Sequence, residues 1–90
     1  TNDLTQYTMA ANRMNARIND IFNPADPAVL RLIELTARNA HNNGIWVGIC
    51  GESAADPSLT EFYISLGIDE LSVSPPSVPA VKKAILTNKA

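Results

Sequence analysis

Asp-Pro occurs twice, at Asp26-Pro27 and at Asp56-Pro57, and each pair opens the same pattern. An aspartate N-cap accepts an amide hydrogen that would otherwise have no partner, and proline in the first helical position lacks one to lose. After Asp26, apolar residues recur at Leu30, Ile33, Ala37 and Ala40, spaced three and four apart, which predicts a helix. "HNNG" stops it, with Gly44 suited to the left-handed position beyond the cap. The strand Ile45 to Ile49 follows, apolar in consecutive positions as expected of a strand covered on both faces. After Asp56 the helix carries Leu59, Phe62, Tyr63 and Leu66, stops at Gly67, and leads to a short strand over Glu70 to Val73. "SPPS" then breaks the chain, and Ser77 is placed to cap a third helix bearing Val78, Val81, Ala84, Ile85 and Leu86. Lys82, Lys83 and Lys89 lie toward its C-terminal end, where positive charge suits the helix dipole. Helix and strand alternating with short links predict α/β units on a parallel sheet.

The 90 residues allow one small core and no second domain. Two strands, or three if one precedes Thr1, make a poor sheet and cannot close an eight-stranded barrel. The chain also opens abruptly on polar "TNDLTQY", so residues 1–90 read as a single partial domain, a piece of something larger. No signal-peptide pattern is visible in that opening, and no apolar run approaches the roughly 20 residues a bilayer requires. A formal net charge of -2 with scattered basic residues argues against nucleic acid as a partner. One cysteine cannot form an internal disulfide, which points to a reducing, cytoplasmic setting.

That cysteine raises the question of chemistry. Cys50 closes the run "IWVGIC" and is followed at once by Gly51 and Glu52, where a buried strand leaves the core for a loop. In folds built of strand and helix units, such positions carry catalytic groups. An ordinary thiol, with a pKa near ~8.5, is mostly protonated at neutral pH and can donate a proton to a carbanion-like centre. An activated nucleophile would need a base or an electropositive site, and a buried structural cysteine is the commoner fate. Asn2-Asp3 pairs an amide with a carboxylate, which suits a magnesium site beside a phosphate, although a turn or helix cap is the commoner use of such a pair. Arg13 could grip a carboxylate or phosphate through two parallel bonds, but the residues alone do not separate it from Arg17, Arg31 or Arg38. Arg31 and Arg38 fall on an amphipathic helix as surface residues. His41, the only histidine, sits in the last turn of the helix after Asp26, where the dipole accounts for it. The chain has no cluster of cysteines and histidines, no complete glycine-rich phosphate loop and no GxSxG elbow.

Together, "TNDLTQYTMAANR", "GICGESAADPSLTEF" and "LGIDELSVSPPSVPAVKKAI" closely resemble the phosphoenolpyruvate-binding C-terminal domain of enzyme I of the bacterial phosphotransferase system. Pyruvate phosphate dikinase and phosphoenolpyruvate synthase are similar in the first two motifs; the tyrosine in "TQYT" and the ending "DELSVSP" favour enzyme I. The resemblance spans almost all of this chain and a small part of the family's length. It implies the C-terminal portion, about the last three units, of a (β/α)8 TIM barrel. It implies that Asn2 contacts the phosphate, Asp3 ligates Mg2+, Arg13 binds the substrate anion, and Cys50 gives a proton to the methylene carbon of the pyruvate enolate. Asn2-Asp3 would follow the sixth strand and Cys50 would end the seventh, so both face one rim. The sequence departs from the family pattern at Asn12, where an aspartate commonly precedes the arginine, and at "GESAAD", where the family has "GEMAGD".

The implied function is transfer of the phosphoryl group of phosphoenolpyruvate to a protein histidine at the start of sugar uptake. Phosphoenolpyruvate and pyruvate are the implied small-molecule partners, and a phosphocarrier protein is reached through an N-terminal domain outside this chain. A second acidic magnesium ligand, further basic contacts and the phosphorylated histidine would also lie elsewhere, so the parent is expected to be an enzyme and the isolated chain inactive. The alternative is a non-catalytic module that keeps the fold for packing or dimer contacts. Inward-facing residues such as Trp46, Ile45 or Val47, left without barrel partners, lead us to expect homodimerisation or other self-association of the free chain.

Overall fold

The computed structural model describes residues 1–11 and 23–88. In chain order they form helix α1 (Asn2–Thr8), helix α2 (Pro27–Asn42), strand β1 (Gly48–Ile49), a 3₁₀ turn (Glu52–Ala55), helix α3 (Pro57–Ser65), strand β2 (Glu70–Leu71), a second 3₁₀ turn (Pro75–Ser77) and helix α4 (Val78–Thr87). The two strands pair in parallel, Gly48 opposite Glu70 and Ile49 opposite Leu71. The described residues are thus a helix-rich α/β arrangement with a short parallel sheet.

Both Asp-Pro starts are made as the capping chemistry requires. Asp26 accepts from the Ala28 amide and Asp56 from the Ser58 amide, each at 2.9 Å, with proline beginning the helix. The two helices also end alike. The Gly44 amide bonds to the His41 carbonyl and the Ile45 amide reaches back to Ala40; one unit later, Gly67 bonds to Ile64 and Ile68 to Tyr63. This is the Schellman closure, and it turns on a left-handed residue, here Gly44 at φ 70° and Gly67 at φ 74°.

That closure corrects the expected strand Ile45–Ile49. The Ile45 amide is taken by the end of α2, and Ile45 and Trp46 are 60% and 68% exposed. Sheet-like bonding begins at Val47, whose amide donates to the Asp69 carboxylate while its carbonyl accepts from the Asp69 amide. The strand expected over Glu70–Val73 is likewise regular only at Glu70–Leu71, although the Ser72 amide still donates to the Ile49 carbonyl. Asn2-Asp3, read as a site, a turn or a cap, opens a helix: Thr1 is the N-cap of α1, with no side-chain cap bond.

The core gathers Val29, Ile33, Ile49, Ala54, Leu59 and Tyr63. On α2 the buried stripe is Val29, Ile33, Ala37 and Ala40, so Val29 takes the inward place expected of Leu30, which is half-buried. Phe62 and Leu66 are also half-buried against this core. On α4 only Val81 is fully inside; Val78 and Leu86 are exposed. Ser77 precedes α4 without a capping bond because "SPP" has already wound into a 3₁₀ turn. Lys82 and Lys83 sit mid-helix rather than in the last turn, which carries no basic residue among the described ones; Lys89 lies outside them.

The Cys50 rim as a candidate active site

Alternation along an extended backbone assigns each strand residue a face. Ile49 is buried against the helices, so Gly48 and Cys50 take the other face. Gly48 lies there beside Trp46 and Glu70: a Cβ on it would stand 3.1 Å from the indole and 3.5 Å from Glu70 Cβ. Ser72 joins the same face, its hydroxyl donating to the Glu70 carboxylate. Cys50 is an exposed free thiol at the C-terminal end of β1, so the buried structural reading does not hold.

Beyond it the chain turns through Gly51 at φ 93° and ψ 176°, a conformation essentially reserved for glycine. The turn is packed against the head of α1. A Cβ on Gly51 would lie 2.7 Å from Thr1 Oγ1 and 3.2 Å from both Asn2 Oδ1 and the Thr1 nitrogen. The contacts are polar and reciprocal. The Thr1 nitrogen and Oγ1 both donate to the Cys50 carbonyl, at 3.0 and 3.1 Å, and the Glu52 amide donates to Asn2 Oδ1 at 3.4 Å. Residues almost fifty positions apart, Asn2 and the Cys50–Glu52 loop, are thereby brought together. Asp3 follows Asn2 on the exposed side of α1. Arg13 lies outside the described residues. His41 is in the last turn of α2 with Nε2 3.8 Å from Asp69 Oδ2, at the opposite ends of the strands from Cys50. Arg31 and Arg38 are exposed, and Arg38 pairs with Glu34 one turn back on the same helix.

A cleft of about 620 Å³ opens at this rim, lined by Asn2, Gly51, Glu52, Ser72, Ser74 and Ser77 among others. Its walls come from the head of α1, the loop after β1 and the segment after β2, so amide, hydroxyl and backbone groups and one carboxylate share the lining with apolar Ala55 and Val73. Such a lining suits a small anion held by neutral donors. A smaller apolar slot of about 170 Å³ lies alongside, between Leu4, Ile33, Val47, Ile49 and Cys50. Magnesium wants several oxygen ligands, anionic ones foremost. Among the described residues no group of three or more histidine, cysteine, aspartate or glutamate side chains comes together, so they do not form a magnesium site by themselves; Asp3 offers one carboxylate.

Three residues at or behind the rim were not singled out as site residues by sequence pattern: Thr1, Ser53 and the core residue Tyr63. Ser53 donates to Thr1 Oγ1 at 2.7 Å and lies 2.9 Å from the Tyr63 hydroxyl. Burial pushes the Tyr63 phenol above its usual value and the Asp56 carboxylate adds to this, while the Ser53 contact opposes it. The available signal was the serine in "GESAAD", where the family pattern has methionine; Tyr63 itself looked like one more core position. No helix among the described residues is long and apolar enough to cross a membrane.

Comparison with known proteins bears on all of the chain. The family described as "PEP-utilising enzyme, PEP-binding domain" matches residues 1–90. A phosphoenolpyruvate-protein phosphotransferase of Haloferax volcanii is 52% identical over 85 residues, 94% of this chain and 15% of that protein. Its counterpart in Bacillus subtilis is 51% identical over 78 residues, 87% of this chain and 14% of that protein. Multiphosphoryl transfer protein 1 of Escherichia coli is 42% identical over 85 residues, 94% of this chain and 10% of that protein. The chain therefore spans about a seventh of the length of the phosphotransferases it matches.

Proposed function

Because the chain belongs to the PEP-utilising enzyme, PEP-binding domain family, we propose that it forms part of a phosphoenolpyruvate–protein phosphotransferase that loads a protein histidine for a phosphocarrier. Residues 1–90 are then one partial domain, the C-terminal portion of a (β/α)8 barrel. The parallel β1–β2 pair supports this, as does its exposed face: Trp46, Gly48, Cys50, Glu70 and Ser72 would point into the barrel, while Ile49 and Leu71 pack on the helices.

One observation carries the reading: Asn2 is docked on the loop that Cys50 begins, beside the rim cleft. In the proposed reaction the enol oxygen–phosphorus bond of phosphoenolpyruvate breaks and a phosphorus–nitrogen bond forms on the histidine. The electron pair stays with the enolate oxygen. The enolate closes to the ketone as its C3 takes the proton of the Cys50 thiol, giving pyruvate, and the thiolate recovers a proton from solvent. Asn2 donates its amide hydrogens to the phosphate, and Arg13 neutralises substrate charge. Asp3 supplies one oxygen ligand to Mg2+, with the others outside the described residues. Localisation in the cytoplasm follows from this reading.

The isolated chain favours a second behaviour. Ile45 and Trp46 stand exposed just before β1, beside a sheet of two strands among the described residues. We propose that alone it self-associates through this apolar edge and does not turn over. The test is incubation of the full-length protein with labelled phosphoenolpyruvate and magnesium. Acid-labile phosphohistidine and one equivalent of pyruvate are expected; label on a serine, threonine or aspartate, or none, would refute the assignment.

A further inference from the structure

Three hydroxyls form a chain from the core to the backbone of the proposed acid. Tyr63 on α3 is fully buried and Ser53 is 4% exposed. Ser53 donates to Thr1 Oγ1, and Thr1 Oγ1 donates to the Cys50 carbonyl. A hydroxyl has one hydrogen to give. Ser53 has given its hydrogen to Thr1, and Thr1 has given its own to a carbonyl, which can only accept. The 2.9 Å contact between Tyr63 and Ser53 must therefore run from the phenol to the serine. The chain has one direction, from Tyr63 to Ser53 to Thr1 to the carbonyl oxygen of Cys50.

We propose that Tyr63, acting through Ser53 and Thr1, is a positioning residue for Cys50. The inference rests on the reading of Cys50 as the proton donor to C3. Cys50 needs such a hold because the residue after it is Gly51, whose backbone conformation no side chain restricts. Among the described residues its carbonyl is held by the nitrogen and hydroxyl of Thr1. Thr1 also leads into Asn2, so one clamp sets the thiol and the phosphate-binding amide relative to each other. The deep end of the clamp is rigid: Tyr63 packs with Val29, Ile33, Leu59 and Ala54. A buried phenol is costly without a partner, and the serine supplies one. Ser53 stands where the resembled pattern has methionine, which cannot donate to Thr1, so the clamp belongs to this sequence rather than to the shared motif.

The test uses the full-length protein with Tyr63→Phe, Ser53→Ala, the double variant, and Ser53→Thr, which keeps the hydroxyl. Misplacing a reacting group by a fraction of an ångström lowers turnover while leaving binding largely intact. Tyr63→Phe and Ser53→Ala are each expected to lower kcat roughly tenfold, with KM for phosphoenolpyruvate within about twofold. The solvent deuterium isotope effect on pyruvate formation should rise, because proton transfer becomes slower. The double variant should fall no further than either single one, since both break the same chain, and Ser53→Thr should restore activity to within about twofold. Iodoacetamide labelling of the Cys50 peptide, read by mass spectrometry, should accelerate in Tyr63→Phe. An unchanged isotope effect, losses that multiply in the double variant, or a fall matching the unfolded fraction would overturn the proposal. The underlying reading fails separately: Cys50→Ser would then leave turnover intact, whatever labelling of the wild-type thiol showed.

Discussion

Gly51→Ala separates a strained turn from a functional one. Two costs add at this site. An alanine at φ 93° and ψ 176° is held in a region that only glycine populates freely, at about 1–3 kcal/mol. The new methyl would also stand 2.7 Å from Thr1 Oγ1 and 3.2 Å from Asn2 Oδ1 and the Thr1 nitrogen, so the head of α1 must retreat. Retreat breaks the Thr1 bonds to the Cys50 carbonyl, each contributing about 0.5–1.5 kcal/mol. The expected destabilisation is about 2–6 kcal/mol. Gly44→Ala is the control: φ is 70°, but nothing lies within 4 Å of the added carbon, so only backbone strain of about 1 kcal/mol is expected. Urea unfolding of the full-length variants measures the difference. Turnover should fall about a hundredfold in Gly51→Ala, because Asn2 and Cys50 lose their relative placement, and stay near normal in Gly44→Ala. Equal stability losses in the two variants, or full activity in Gly51→Ala, would refute the claim that close packing of this turn on α1 builds the site.

Further outcomes follow from the same geometry. Asp56→Ala removes the acceptor shared by the Ser58 amide and hydroxyl and should cost about 1 kcal/mol in denaturant unfolding, with Asp26→Ala similar. The folded Tyr63 phenol titrates above the unfolded value near 10, so its neutral form favours folding; that contribution is complete below about pH 10 and lost as pH rises through the folded value. Tyr63→Phe should therefore flatten the decline in stability above pH 10, measured by thermal melts. Sedimentation of the free chain should show association, and replacing Ile45 and Trp46 with glutamate should reduce it; a wild-type monomer at high concentration would contradict the exposed-edge argument.

How much of this was legible depended on how local its cause was. The Asp-Pro starts and the Gly44 and Gly67 stops were readable because a cap involves only neighbours in sequence. Strand lengths were not, because the Ile45 amide is claimed by Ala40 and β1 can extend only as far as β2 accompanies it. Helix α1 escaped notice since it is seven residues long, is polar and lacks a side-chain cap. Val29 and Leu30 are adjacent and equally apolar, so spacing could not choose the inward one. At the site, Asn2, Asp3 and Cys50 were named through their motifs, while the Tyr63–Ser53–Thr1 chain depends on three distant positions meeting. A tyrosine at a helical core spacing gives no hint that its hydroxyl is in use.

The central claim is that Cys50 hands its proton to the enolate left by phosphoryl transfer. Its most direct test is pyruvate formation from phosphoenolpyruvate in the full-length protein, comparing Cys50→Ser with wild type in D2O under conditions where protonation limits the rate. A serine hydroxyl is a far weaker acid than a thiol, so turnover should fall roughly 10²–10⁴-fold while affinity for phosphoenolpyruvate changes little. The wild-type product should carry one deuterium on its methyl carbon. Near-normal turnover and deuteration in Cys50→Ser would show that another group supplies the proton and that Cys50 only shapes the rim.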